Sequence, residues 1–123
     1  RNPALSAVLH PSRPTCPGHG IWARDFTGAS GVFSVALNPS VEPLVVAALA
    51  NLRVFAIGAS WGGTHSLIAP MSVKADRQLG AGTDYGTILR ISVGLEDPAE
   101  LWAELDGILR ALSPATEVRA RAR

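Results

Sequence analysis

The chain has 123 residues, 47% hydrophobic and 17% charged, with a formal net charge of +1. That length suits one domain with one core, and the apolar content excludes a disordered chain. The small net charge excludes general attraction to nucleic acid or acidic membranes, and the longest apolar run, PLVVAALA at 43–50, is far below the ~20 residues that span a bilayer.

The charged share falls below the usual ~25%, which points to a face buried against another domain or subunit. Cys16 is the only cysteine, so no internal disulfide forms and a reducing, cytoplasmic compartment fits. The chain starts at Arg1 and shows no basic start followed by an apolar core and cleavage site. We therefore expect a processed chain or a piece of a longer one, with no signal peptide.

LSAVL at 5–9 reads as a short strand, followed by the Pro/Gly-rich loop HPSRPTCPGHG. HGIWARDF reads as a short helix. SGVFSVAL at 30–37 alternates Phe33, Val35 and Leu37 with Ser34 and Ala36, the period of a half-buried strand. SVEPLVVAALANL reads as a helix, with Ser40 as cap, Pro43 in the first turn, and Leu44, Val45, Ala48, Leu49 and Leu52 on one face.

VFAIG at 54–58 reads as a strand that delivers the chain to SWGGTHS, and SLIA leaves that loop. Residues 71–86 are polar and aperiodic, hence loop. TILRISVG at 87–94 is a clear strand. EDPAELWAELDGILRALS then reads as a helix with Asp97 as N-cap, Pro98 in the first position and Glu100 completing a capping box. Its buried stripe is Leu101, Leu105, Ile108, Leu109 and Leu112. The order of elements predicts an α+β domain over residues 1–113, a mostly antiparallel sheet with helices on one face. Residues 114–123, ending in RARAR, are expected to be a disordered basic tail.

Most motifs for chemistry are incomplete. Cys16 and His19 have a spacing that a zinc site uses, but no second pair accompanies them, so no metal is expected. Ser60, Ser66, His65 and Asp84 form no recognisable triad, and no G-x-S-x-G elbow or phosphate-binding loop is present.

Arg90 is more informative. It shares a strand face with Ile88 and Ser92, opposite Leu89, Ile91 and Val93. A mid-strand arginine is ordinarily a solvent-facing one. Its fork also matches a carboxylate bidentately, and the N–H groups of Gly62 and Gly63 are candidates to approach the same anion.

Five stretches carry a resemblance, in order, over residues 8 to 112: HP at 10–11, PGH at 17–19, W-x-RDFTGASGVFS at 22–34, SWGG…SL at 60–67, and LRISVGLEDPAEL at 89–101. They resemble the C-terminal domain of the pyridoxal-phosphate enzymes of cysteine and methionine metabolism, most closely the cystathionine β-lyase branch, in which Trp61 replaces the leucine typical of γ-acting relatives. The resemblance implies the small domain of the fold-type I transferase fold, closing over a cofactor held by a large domain, in a homodimer or homotetramer. It implies that Arg90 binds the α-carboxylate of cystathionine, with Ser60 beside it and the Trp61 N–H as a further donor. Such a clamp orients the substrate against the cofactor.

Three positions depart from the pattern. Ala59 replaces an aromatic residue, His65 replaces a glutamate, and Ser92 stands where β-lyases commonly carry histidine. The first two bear on substrate fit and the third leans toward the γ-acting relatives (cystathionine γ-synthase, γ-lyase or a sulfhydrylase). A free-standing, non-catalytic binding domain is the alternative from another class. The only lysine, Lys74, lies in the aperiodic loop, so the cofactor-anchoring lysine and the phosphate ligands are expected in the large domain. No catalytic or cofactor-binding residue is assigned within this chain.

Overall fold

The computed structural model describes residues 2–72 and 85–113. The expected basic tail and most of the expected loop, including Lys74 and Asp84, lie outside the described residues.

Five strands form one sheet: β1 (Leu5–Leu9), β2 (Val32–Leu37), β3 (Ala56–Ile57), β4 (Leu67–Ser72) and β5 (Thr87–Ser92), in spatial order β1-β2-β5-β4-β3. Every pairing is antiparallel except β3 with β4, which is parallel. β5 is central, and its register places Leu89 opposite Val35 and Pro70, and Ile91 opposite Phe33 and Ile68. Because side chains alternate across a strand, Leu89 and Ile91 join Val35, Leu37 and Ile68 on one face, and all five are buried in the core.

Two helical segments cover that face. α3 (Pro98–Ala111) supplies buried Leu101 and Ile108, with Leu112 just beyond its end. Asp97 caps it, accepting hydrogen bonds from the Ala99 and Glu100 N–H groups. The side chain of Glu100 makes no reciprocal bond among those described, so the cap rests on Asp97. Leu105 packs partly against the core, as expected of the stripe.

The helix expected from Ser40 to Leu52 is broken in two. Pro39–Leu44 form a 3-10 segment and only Val45–Ala48 are α-helical (α2), while the cap position is Asn38 rather than Ser40. Pro43 lies inside the 3-10 segment and has no N–H to give the ladder, which explains the interruption. Val41, Val45 and Leu49 still reach the core, whereas Leu44 is exposed. The first helix, α1 (His19–Asp25), buries none of its residues and stands apart from the core.

The strand expected over 54–58 shrinks to two residues. The Arg53, Val54 and Phe55 N–H groups instead donate to the Glu104 carboxylate of α3, at 2.5 to 3.2 Å. That one side chain binds the segment before β3 to the helix and occupies donors that a strand would have used.

Candidate functional site: an arginine and the glycine loop

The opposite face of the sheet carries Arg90. Its cross-strand neighbours are Ser34 on β2 and Ala69 on β4, both small, which leaves a trough for a long side chain. Arg90 crosses this trough to the loop of residues 58–66 between β3 and β4. There its Nη2 donates to the Ala59 carbonyl and, at 3.0 Å, to the Ser60 carbonyl. Its Nε is buried with no partner among the described residues. A guanidinium carries five donors, and an unpaired buried one costs about 1–3 kcal/mol. The two loop carbonyls both accept from Nη2, and no described residue is bonded to Nη1. The guanidinium is thereby held against the loop.

The structure therefore brings Ser60 and Arg90 together, through the serine's carbonyl. Trp61 follows on the same loop with its indole exposed, and no described residue accepts its N–H. The expectation for Gly62 needs correction. The Gly62 N–H is taken by Ser92 Oγ at 3.0 Å, so it is not available to an anion. Gly62 has φ +75°, a conformation that side chains resist, and that is why glycine stands there. The close approach occurs instead at Gly94, where an added Cβ would overlap the Thr64 carbonyl.

The loop's exit is anchored on a group that motif reading passes over. Ser66, fully buried, gives its N–H to Glu96 Oε1 at 2.7 Å and its O–H to Oε2 at 2.5 Å, and Ser66 Oγ accepts the Gly94 N–H at 2.7 Å. The Ser66 hydroxyl, then its N–H, and more weakly His65, hold the Glu96 carboxyl below its ordinary range. His65 itself is exposed, with Nδ1 3.8 Å from Glu96 Oε1. A serine directly after the loop and a glutamate just beyond the strand end were the available signals.

The other residues weighed for chemistry stay apart. His19 Nδ1 lies 2.7 Å from the Pro11 carbonyl, and His10 pairs with Ser12 at 2.6 Å. Among the described residues no three metal-ligating side chains gather. A hollow of about 460 Å³ beside α1 is lined by Pro11, Ile21, Trp22 and Phe26, but it carries no charged group and does not adjoin Arg90. Among the described residues no helix is long and apolar enough to cross a membrane.

A small α+β domain with an arginine braced against a glycine loop is the class defined by this geometry. The profile of the Cys/Met metabolism PLP-dependent enzymes matches residues 1–110, and the chain belongs to that family. It is similar to cystathionine beta-lyase of Salmonella typhimurium, 42% identical over 109 residues that cover 85% of this chain and 27% of that protein. It is also similar to an L-alanine/L-glutamate racemase of Wolbachia pipientis, 38% identical over 110 residues, 88% of this chain and 27% of that one. Among solved structures, cystathionine gamma synthase from Xanthomonas oryzae pv. oryzae, in complex with aminoacrylate and cysteine, superposes with a TM-score of 0.73. It is 30% identical and covers 89% of this chain and 29% of that one. The chain thus spans about 27% of the length of these curated relatives.

Pyridoxal phosphate is the cofactor of this family. Its aldehyde is captured by a lysine amine, and the described residues contain no lysine. The described residues therefore offer no amine to capture that aldehyde.

Proposed function

We propose that this chain is the C-terminal, substrate-carboxylate-binding part of a carbon–sulfur β-lyase that cleaves cystathionine. The observation that carries this is the Arg90 guanidinium, fixed by the Ala59 and Ser60 carbonyls, with no described residue bonded to Nη1. In this reading residues 1–113 form the substrate domain. Arg90 binds the α-carboxylate, Ser60 lies beside it, and the Trp61 N–H is a further donor. The similarity to the Salmonella cystathionine beta-lyase and the tryptophan of SWGG support the β-acting branch.

The bond-breaking chemistry belongs to the cofactor and to residues of a large domain, so the 123-residue chain alone is inactive. The full enzyme is a homodimer or homotetramer of the cytoplasm, acting in methionine biosynthesis without nucleic-acid or membrane partners. Ser92, and the fold shared with the Xanthomonas gamma synthase, support a second reading as a γ-acting transsulfuration enzyme.

Product analysis of the complete enzyme with cystathionine separates the two. Cleavage on the β side releases homocysteine, pyruvate and ammonia; cleavage on the γ side releases cysteine, 2-oxobutyrate and ammonia. Homocysteine with pyruvate is the expected pair. Cysteine with 2-oxobutyrate overturns the β assignment, and no cleavage at all overturns the lyase reading.

A further inference from the structure

Most of the groups that fix the Ser60–Trp61 loop come from one short stretch, residues 90–96. Arg90 holds the Ala59 and Ser60 carbonyls, Ser92 Oγ holds the Gly62 N–H, and the Leu95 N–H donates to the Thr64 carbonyl at 2.9 Å. The last anchor ends on a carboxylate. Ser66 Oγ accepts the Gly94 N–H, so its single hydrogen is directed away, onto Glu96 Oε2, while the Ser66 N–H meets Oε1. An ionised carboxylate accepts both donors with no proton of its own to place. Ser66 is fully buried and Gly94 has no room for a Cβ, so this junction cannot slide without breaking several contacts.

We propose that Glu96 is a positioning residue for the anion clamp: acting through buried Ser66, its carboxylate sets where the Ser60–Trp61 loop stands against Arg90. This deepens the reading of Arg90 as the carboxylate-binding residue and rests on it. Glu96 touches no substrate. It keeps the carbonyls that grip Nη2, and the Trp61 N–H that follows them, in register with the guanidinium. His65, exposed on the same loop, contributes only a weak contact to the same carboxylate.

The test uses Glu96→Gln, which keeps the side chain's size but places an NH₂ group against two donors. In the complete enzyme the KM for the amino-acid substrate should rise about tenfold or more with kcat within about threefold, the pattern of lost binding. Amides of residues 59–66 should exchange hydrogen about tenfold faster or more while those of α3 keep their rates, as expected of local opening. Glu96→Asp should recover part of both effects. If Glu96→Gln does not fold, Ser66→Ala removes the hydroxyl half of the same link while leaving the charge, and smaller changes in the same direction are expected. An unchanged KM beside an Arg90→Ala variant that is strongly impaired overturns the role of Glu96 and leaves the clamp intact. A lowered melting temperature with KM and loop exchange unchanged also overturns it. An unimpaired Arg90→Ala variant overturns the reading beneath it.

Discussion

Gly94 marks the point where the end of β5 passes beneath the loop, and it offers a sharp probe of that junction. A Cβ at this position would overlap the Thr64 carbonyl and stand 2.8 Å from Glu96 Oε2. The carbonyl is backbone and already accepts the Leu95 N–H, so relief requires the whole loop to move. Overpacking of this kind costs about 1–3 kcal/mol, and the strained hydrogen bond adds ~1 kcal/mol. The stiffer unfolded chain of an alanine variant returns ~0.4–1 kcal/mol. Gly94→Ala should therefore lose about 2 kcal/mol, which lowers the urea midpoint by roughly 1 M for a chain of this size.

Two neighbouring glycines calibrate the result. Gly63 has open space around its absent Cβ and no positive φ, so Gly63→Ala should be neutral or gain up to ~1 kcal/mol. Gly62→Ala meets no atom but inherits φ +75°, at a cost of about 1–2 kcal/mol. Urea unfolding of the three variants, followed by tryptophan fluorescence, reads all of this in one experiment. A Gly94→Ala midpoint equal to that of Gly63→Ala would refute the close packing of strand end against loop.

Other elements carry equally specific expectations. Glu104→Ala strands the Arg53, Val54 and Phe55 N–H groups and should cost about 1–3 kcal/mol in the same unfolding assay. Asp97→Ala removes a cap that accepts two N–H groups and should cost ~1 kcal/mol. Because Ser66 holds the Glu96 carboxyl below its ordinary 4.5, that contribution is complete above this value and is lost as pH falls through the lower folded value. Urea midpoints measured on the acid side should therefore fall less steeply for Ser66→Ala than for the parent chain; equal slopes would contradict the pairing.

The regular elements were legible wherever local chemistry and tertiary packing agree. β2 follows from alternation, β5 from a run of strand-forming residues, and α3 from Asp97, Pro98 and a stripe of which Leu101, Leu105, Ile108 and Leu112 reach the core. The failures occur where a distant group overrides the local pattern. VFAIG has strand residues throughout, yet Glu104, some fifty positions away, takes its first N–H groups. Ser40 has the chemistry of a cap, but Pro43 tightens the turn around it. At the site, the strand face of Arg90 was accessible through strand phase. The partners of Gly62 and Ser66 were not, because no pattern reveals which hydroxyl or carboxylate a loop N–H will meet across thirty residues.

Arg90 is the residue on which the functional account stands. Truncating one partner of a desolvated ion pair costs roughly 2–5 kcal/mol. At about 1.4 kcal/mol per decade, kcat/KM of the complete enzyme for cystathionine should fall by about 10²–10³ or more in Arg90→Ala. Arg90→Lys should recover only part of the loss, because an ammonium cannot reproduce the planar fork. An arginine that merely lies on an exposed strand face would change stability by ~0.5 kcal/mol or less and leave the kinetics alone. A kcat/KM for Arg90→Ala within about threefold of the parent enzyme would contradict the carboxylate clamp.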